Sequence, residues 1–316
     1  MIDDADRAVS HPGRCRRYGG GMTAASPAAE AWRAEQHRLT GIAYRMLGDY
    51  GLAEDVVSEV ALAAVRAERT GGAEVRSWPA WLTTVCVRRS VDQLRELAAE
   101  REFYPGPWLP EPVATDRLPE DVVADRELLS IGLLHLAEQL SPHARAALVL
   151  HRGFRMTSAE IGTVLERSPA AVRQLVSRAE RRLQIDDAPP VRSAAAAQTL
   201  SAMVTAIERG EVATLVHLLA EDAVLWTDGG GKTRAARNPI YGADRIIRFY
   251  TGVFTAAITQ RPDAVRARLV HINGEPGLDV RTLDRRDLVA LDLDPAGQVR
   301  GVRQIANPDK LTRVPV

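Results

Sequence analysis

The sequence predicts a multidomain fold in which two all-α units are followed by an α+β domain. Apolar residues recur at helical spacing from position 28 to about 100, and again from 121 to 185. A stretch rich in proline, which a helix interior does not tolerate, separates these two helical parts. From residue 193 to 316, two helical segments give way to alternating, strand-like runs. These three observations define the domain plan.

The composition is that of a folded, globular chain. Its 316 residues allow two or three domains, and 46% hydrophobic with 26% charged residues exclude wholesale disorder. No run approaches the roughly 18 apolar residues of a transmembrane helix, and the first residues lack the apolar stretch of a secretory signal. Two cysteines, Cys15 and Cys86, are too few for a disulfide framework. We therefore expect a cytoplasmic protein with no membrane partner.

Charge is balanced overall but not locally. The chain carries 41 basic and 41 acidic residues, whereas a protein that holds DNA alone through phosphate contacts is usually basic. Between residues 141 and 183 there are eight arginines and only three acidic residues. This segment is therefore the part of the chain best suited to meet nucleic acid.

The N-terminal part divides into a tail and a helical unit. Residues 1–27 contain a triple glycine and no apolar period, which predicts a disordered tail. Residues 28–100 carry three apolar stripes at helical spacing, separated by Gly48 and by the cluster at 70–72. They predict a three-helix unit.

The connector that follows, residues 101–120, is rich in proline and also contains aromatic residues. Proline at this density favours extended backbone over helix. A flexible spacer would instead be rich in glycine and serine and free of tryptophan. We therefore expect the connector to dock onto another part of the protein.

Residues 121–185 predict a second helical unit, and residues 186–192 predict a linker to the last domain. A first helix is expected from 122 to 137. Three more helices begin at typical caps, which are Ser141 before Pro142, the capping box Thr157–Glu160, and Ser168 before Pro169.

The last two of these helices have the layout of a helix-turn-helix. The second one buries an apolar stripe that begins at Val172 and ends at Leu183. Its opposite face carries Arg173, Gln174, Ser177, Arg178 and Arg181. Arginine can pair with guanine and glutamine with adenine in the major groove, so this face is typical of a recognition helix. An ordinary helical hairpin with a solvated arginine face is the alternative.

Residues 193–316 predict an α+β domain. The turn sequence Asp294–Gly297 predicts a hairpin between its last two strands. The expected helices cover about 194–209, 211–219 and 243–257, and the expected strands cover 223–226, 264–271, 288–293 and 299–305.

The order and spacing of the helical segments resemble those of extracytoplasmic-function sigma factors, the promoter-specificity subunits of bacterial RNA polymerase. The stretch LTGIAYRMLGDYGLAEDVVSEVALAAVRA is similar to sigma region 2, and SWPAWLTTVCVRRSVDQLRE to the part of it that opens and reads the −10 element. The run LSPHARAALVLHRGFRMTSAEIGTVLERSPAAVRQLVSRAERRL is similar to region 4, which reads the −35 element. The resemblance covers about residues 30–184.

Three further motifs resemble those of one subgroup of these factors. They are WLPEP at 108–112, DGGGK at 228–232 and NPDKL at 307–311. That subgroup carries a C-terminal SnoaL-like domain, a cone-shaped α+β fold of the nuclear-transport-factor-2 type, which is considered to replace a separate anti-sigma protein. The resemblance implies a sigma factor regulated in cis. We expect no catalytic residues, no cofactor and no metal, because the sequence contains no Ser/His/Asp set, metal-ligand cluster or cofactor fingerprint.

The resemblance also assigns roles to individual residues. Contacts with the −35 element are expected from Arg155, Ser168, Arg173, Gln174, Ser177, Arg178 and Arg181. Contacts with the −10 element are expected from Trp78, Trp81, Arg88, Arg89 and Arg95, with core packing as the alternative for both tryptophans.

The implied partners are promoter DNA and core RNA polymerase, through the clamp of its β′ subunit and the flap of its β subunit. Glu54, Asp55 and Glu59 are expected to face the clamp. Regulatory interdomain contacts are expected from Trp108, Leu109, Pro110, Glu111, Pro112, Asp228, Gly229, Gly230, Gly231, Lys232, Asn307, Pro308, Asp309, Lys310 and Leu311.

The two C-terminal motifs also have simpler interpretations. The glycines at 229–231 permit positive φ and close backbone approach, which suits a loop that docks on the connector or on region 2. A plain glycine-rich hairpin tip is the alternative, and P-loop spacing is absent. The motif at 307–311 predicts an Asn-Pro turn with a charged pair, against the alternative of a frayed C-terminus.

Two other functions remain open for the C-terminal domain. Related cones include cyclases and isomerases that use a pocket carboxylate as a base, for which Asp228 and Asp292 are the candidates. His217 and His271 are the only histidines of this domain, and we expect neither to be catalytic. Alternatively, the cone holds an unknown small ligand that changes how the domain packs on the rest of the chain.

Overall fold

The computed structural model describes residues 26–70, 75–118, 128–185, 194–260 and 265–315. The predicted tail, up to residue 25, and the predicted linker at 186–192 lie outside these ranges. None of the helices in the described ranges combines the length and apolarity needed to span a bilayer.

The first unit consists of three long helices, α1 (Pro27–Leu47), α2 (Tyr50–Thr70) and α3 (Trp78–Arg101). Ser26 and Ser77 cap α1 and α3, each followed by a proline in the first turn. Gly48 ends α1 in the left-handed conformation, with φ of 69°, and so turns the chain sharply into α2. The three helices predicted from the apolar stripes are therefore present.

The connector has no regular secondary structure from residue 107 to 113, forms an isolated β-bridge to Ile272 at Ala114, and ends in a short 3-10 helix, Thr115–Arg117. Leu109 and Val113 are buried although the segment has little regular structure. These residues are buried because the connector contacts both the helical units and the last domain.

The second unit contains α4 (Ile131–Ala137), α5 (Pro142–Leu148), α6 (Ser158–Leu165) and α7 (Pro169–Leu183), with a π-helical turn at Val149–Gly153. The predicted caps Ser141, Thr157 and Ser168 are all present. The prediction of one helix over 122–137 was wrong for residues 128–130, which are described and are not in an α-helix. Ser130 adopts extended angles and its side chain caps a helix that begins only at Ile131.

One hydrophobic core joins the two helical units. It runs from Ala28 in α1 to Leu183 in α7, and Cys86 lies fully buried within it. Burial raises the pKa of the Cys86 thiol to about 12, which keeps it protonated. The helical units are therefore packed against each other rather than strung apart on a flexible spacer.

The C-terminal domain is an α+β fold with one six-stranded sheet. Its elements are α8 (Ala194–Arg209), α9 (Val212–Leu218), β1 (Leu219–Asp228), β2 (Ile240–Tyr241), α10 (Ala243–Gln260), β3 (Arg266–Ile272), β4 (Glu275–Arg281), β5 (Arg286–Leu293) and β6 (Val299–Ile305). The strand order is β2-β1-β6-β5-β4-β3, with β1 and β6 parallel and the other neighbours antiparallel.

Sequence reasoning missed two of these strands. β4 contains Pro276, Gly277 and the buried carboxylate of Asp279, which conceal its alternation. Three arginines bind Asp279 and lower its pKa to about 2 against the effect of burial. β2 has only two residues, too few for a period. The predicted hairpin turn is present, since Gly297 N–H donates to the carbonyl of Asp294.

The two faces of the sheet pack against different partners. One face covers α8 and α10 and forms the domain's own core, which includes Leu225, Val289 and Val302. The other face carries Leu288 and Ile305 and packs on the connector and α4. One face of the sheet thus packs on the connector and on the second helical unit.

Candidate functional site

The centre of the interdomain junction is the carboxylate of Asp228, at the end of β1. This side chain is fully buried and accepts hydrogen bonds from both sides. Tyr104 Oη donates to Oδ1 at 2.6 Å, and the backbone N–H of Leu109 donates to Oδ2 at 2.9 Å. Burial, and then the hydrogen bond to Asp228, raise the pKa of Tyr104. The connector is therefore held by a carboxylate of the last domain.

Lys310 balances the charge of Asp228. Its Nζ lies 2.7 Å from Asp228 Oδ2 and donates to the carbonyl of Leu109 at 2.5 Å. The same ammonium lies 4.1 Å from the ring centroid of Trp108 and 5.2 Å from that of Tyr104. Burial lowers its pKa, while the Asp228 charge opposes that shift. The 307–311 motif is thus packed into this junction and is not frayed.

The glycines of the 228–232 loop allow the close approach that this junction needs. Gly230 and Gly231 have φ of 58° and 72°, and a side chain on Gly230 would collide with Asn307. Asn307 donates to Tyr104 Oη at 3.1 Å and caps the 3-10 helix Pro308–Lys310. Gly229 packs as closely on the backbone of Thr233. The loop therefore joins the tail motif to the connector.

Lys232 and Asp309 lie at the rim rather than in the centre. Lys232 Nζ lies 2.5 Å from Asp309 Oδ2, and both side chains are more than half exposed. Exposed pairs of this kind contribute about 0–1 kcal/mol. Of the two lysines in the chain, only Lys310 is buried at the junction.

The WLPEP segment packs tightly on the first helical unit. Trp108 lies over the guanidinium of Arg101, 3.5 Å from the ring centroid, and against Gly48, where a side chain would clash. Glu111 accepts from the backbone N–H groups of Tyr50 and Gly51 at 2.8 and 3.3 Å, at the start of α2. Burial, and then the charge of Asp49, raise its pKa. Leu109, Pro110 and Pro112 are also buried.

Asn273, in the turn between β3 and β4, is a junction residue that sequence reasoning missed. It is fully buried, and its amide nitrogen donates to Tyr44 Oη at 2.6 Å and to the carbonyl of Leu129 at 2.9 Å. Its Oδ1 accepts from Val113 N–H at 2.9 Å. Tyr44 in turn donates to the carbonyl of Glu111 at 2.6 Å. One side chain thus connects both helical units, the connector and the last domain.

A second missed contact links α4 to the sheet. Arg303 of β6 forms an ion pair with Asp292 and donates to Nδ1 of His135 at 3.2 Å. Both His135 and the Arg303 guanidinium also contact the ring of Trp226. Burial, and then the nearby charge of Arg303, lower the pKa of His135 to about 4. This imidazole is therefore neutral in the docked arrangement.

The predicted polymerase-facing residues Glu54, Asp55 and Glu59 are all exposed on α2. Two of them are already paired within the chain. Arg313 lies 2.5 Å from Glu54, and Arg89 lies 3.4 Å from Glu59. The tail of the last domain therefore reaches the surface that was predicted to meet the clamp.

The predicted −35 surface is open to solvent. On α7 the apolar stripe is buried, as Val172, Val176, Ala179 and Leu183 show. All seven side chains of the predicted set are exposed, namely Arg155, Ser168, Arg173, Gln174, Ser177, Arg178 and Arg181.

The predicted −10 residues make more contacts within the chain than the predicted −35 residues do. Trp78 and Trp81 are half-buried, packed edge to face with ring centroids 5.6 Å apart, and lie against the helical core. Arg88 lies 2.6 Å from Glu166, in the turn of the helix-turn-helix. Arg95 is exposed and pairs locally with Asp92. An exposed salt bridge thus links α3 to the turn of the helix-turn-helix.

The candidate carboxylates for an enzyme lie at the junction. Asp228 is fully engaged by the connector and Lys310, and Asp292 is paired with Arg303. His217 and His271 are exposed. In the described ranges, no three His, Cys, Asp or Glu side chains are grouped so that they could hold a metal.

Comparison with known families and proteins agrees with this architecture. Residues 31–100 match the family described as Sigma-70 region 2, and residues 131–183 match Sigma-70, region 4. The chain is 35% identical over 307 residues to the ECF RNA polymerase sigma factor SigJ of Mycobacterium tuberculosis, covering 90% of this chain and 93% of SigJ. It is 27% identical to the probable ECF RNA polymerase sigma factor SigI of the same organism, over 92% and 97% of the two chains.

The fold is similar as well. The crystal structure of Mycobacterium tuberculosis SigJ superposes with a TM-score of 0.70 at 31% sequence identity, over 90% of this chain and 99% of that one. Helical regions 2 and 4 followed by an α+β domain are therefore common to both proteins.

Proposed function

Because the chain belongs to the ECF RNA polymerase sigma factors, we propose that its C-terminal domain controls promoter-specific transcription initiation in cis. Members of this family direct core RNA polymerase to promoter DNA. The observation that carries the proposal is Asp228, which the connector and Lys310 enclose at the centre of the junction.

In the proposed compact state, the last domain holds regions 2 and 4 at a fixed separation. The contacts of Asp228 with the connector and of Asn273 with Tyr44 and Leu129 support this part of the proposal. The salt bridge between Arg88 and Glu166 adds a direct link between the two DNA-reading units. In this state the two units would not reach the spacing that a polymerase-bound sigma factor needs.

In the proposed open state, the same surfaces meet the polymerase and the promoter. Glu54, Asp55 and Glu59 would bind the clamp of the β′ subunit once Arg313 has left Glu54. Region 4 would bind the flap of the β subunit and read the −35 element with the exposed face of α7. Trp78 and Trp81 with Arg88, Arg89 and Arg95 would meet the −10 element after Arg88 is released from Glu166.

We propose that the last domain acts as a regulator rather than as an enzyme. The two carboxylates that could serve as a general base are engaged in ion pairs at the junction, which supports a structural role for them. We also propose the cytoplasm as the site of action, since the polymerase and the promoter are there.

The test is transcription in vitro with core RNA polymerase. The full chain and a chain ending near residue 195 would be compared on a pool of promoters with randomised −35 and −10 sequences. We expect promoter-specific transcripts whose amount differs between the two chains. Equal output from both would contradict control in cis, and no binding of either chain to core polymerase would contradict the sigma role as well.

A further inference from the structure

A cavity of about 110 Å³ lies in the C-terminal domain, on the face of the sheet opposite the junction. Helices α8 and α10 cover it on one side, with Met203 and Ile247 at the wall. The domain's own core face of the sheet closes the other side, with Val289 and Val302. A dry apolar cavity of roughly 150 Å³ is large enough to hold benzene, so this one has the scale of a single small ring.

Four polar residues interrupt the apolar wall, namely Tyr250, Thr251, Asp287 and Gln304. Asp287 lines the cavity and is buried, with its carboxylate 2.7 Å from Nε of Arg285. Burial raises the pKa of Asp287, while hydrogen bonds from Arg285 and from the amide of Gln304 oppose that shift. The carboxylate already has a cationic partner, so the site offers little to a second cation and repels an anion.

Gln304 supplies an unpartnered hydrogen-bond acceptor to the cavity. Its side chain lines the cavity, the residue is 1% exposed, and its Oε1 has no hydrogen-bond partner among the described residues. Because only the amide nitrogen can donate to the Asp287 carboxylate, the amide orientation leaves Oε1 as an acceptor. A buried acceptor without a donor is costly, and a ligand hydroxyl or N–H would remove that cost.

We propose that this cavity is a binding site for an uncharged, mostly apolar molecule of about one six-membered ring, which donates one O–H or N–H hydrogen bond to Gln304 Oε1. The apolar wall supplies the affinity. The unpartnered acceptor of Gln304 supplies the selectivity for a ligand with a donor, because the Asp287 carboxylate is already paired with Arg285.

The site lies directly behind the junction. Successive residues of a strand point to opposite faces, so Gln304 faces the cavity while Arg303 faces α4 and His135. Binding at the cavity would therefore act on the strand that carries a junction contact. Any effect on transcription rests on the proposed control in cis, whereas binding itself does not.

The test uses the full chain without polymerase and two probes of nearly equal size, phenol and toluene. Titrations followed by protein NMR should show both probes in the cavity, with phenol bound about fivefold more tightly because only phenol has a donor. Benzoate, which is an anion at neutral pH, should not bind. The Gln304→Leu variant should remove the preference for phenol, and Ala206→Leu should weaken both probes by filling the cavity.

Binding of neither probe, or equal binding of both to the unaltered chain, would overturn the proposal. Because that comparison needs no substitution, it decides the question even if Gln304→Leu fails to fold. Failure of cis control in the transcription assay leaves this result unaffected, since no polymerase is present.

Discussion

Tyr104 of the connector donates a 2.6 Å hydrogen bond to Asp228, which lies 124 residues further along the chain. The acceptor is fully buried and also binds the connector backbone at Leu109. A carboxylate enclosed in this way must keep its partners, because an unpaired buried charge is strongly destabilising. The contact therefore acts as a latch between the helical units and the last domain.

Removing the charge of Asp228 should open this latch. In Asp228→Asn the ammonium of Lys310 stays buried without its counter-ion, and loss of one partner of a buried pair costs about 3–5 kcal/mol. We expect faster hydrogen exchange at the backbone amide of Leu109 and a changed transcription output. The matched control is Asp309→Asn, which breaks the exposed pair with Lys232 and should change stability by at most about 1 kcal/mol. Equal effects of the two variants would contradict the latch.

The motifs of the latch could be found from the sequence, but their geometry could not. The glycines at 229–231 indicated close approach, and the connector's tryptophan indicated docking. Lys310 pairs with the buried carboxylate of Asp228, whereas Lys232 pairs with the exposed Asp309. Which lysine reaches Asp228 depends on the tertiary structure, which the local sequence does not encode.

Arg313 should compete with the polymerase for Glu54. Removing it in Arg313→Ala frees a carboxylate that we expect to face the clamp, so affinity for core RNA polymerase should rise about two- to fivefold, as expected for a partly exposed ion pair. Fluorescence anisotropy with labelled chain would measure this affinity. Arg300→Ala, which breaks a surface pair with Asp222, serves as the control. Unchanged or weaker binding of Arg313→Ala would argue against the competition.

The exposed face of α7 should determine −35 recognition. Arg173→Ala and Arg178→Ala should each reduce use of a matched −35 sequence by about 1–3 kcal/mol, which is roughly 5- to 150-fold, if the side chain contacts a base. Arg182→Ala, at an exposed position outside the predicted set, is the control. Transcription from matched and mutated −35 sequences measures the effect. The assignment fails if the first two variants discriminate between those sequences as well as the parent chain.

The junction should weaken in mild acid because of His135. Its pKa is about 4 when docked and about 6.5 when exposed, so the docked state is disfavoured as pH falls from 6.5 towards 4. Arg303 Nε now donates a hydrogen bond to His135 Nδ1. Protonation of His135 would place an N–H at Nδ1, so this hydrogen bond would be lost and two donors would face each other. Between pH 7 and pH 5 we expect a loss of roughly 2 kcal/mol, with Lys310 adding to the repulsion and Asp292 opposing it.

Hydrogen exchange at α4 across this pH range would measure the effect. The His135→Asn variant lacks the titrating group and should lose the corresponding part of the pH dependence, which separates it from the titration of Glu111. Identical pH profiles for the parent chain and this variant would show that His135 does not cause the pH dependence.

The contacts that sequence reasoning missed share one physical feature. Asn273 and Tyr44 are 229 residues apart, and each has a plausible local role, Asn273 in a turn before Gly274 and Tyr44 in a helix core. Only the docking of the sheet gives them a common partner. Periodicity and caps report on one element at a time, so they predicted helices and the hairpin well and predicted this long-range network poorly.

If the docked arrangement prevents initiation, a reversible covalent lock across the junction should switch transcription off. Ala114 and Ile272 are paired in an antiparallel β-bridge between the connector and the sheet, which brings their side chains close enough for a disulfide in the double variant Ala114→Cys/Ile272→Cys. Promoter-specific transcription would be measured with oxidised and reduced chain, beside the single variant Ala114→Cys. We predict that oxidation abolishes the transcripts of the double variant alone and that reduction restores them. Equal transcription by the oxidised and reduced double variant would contradict control by docking.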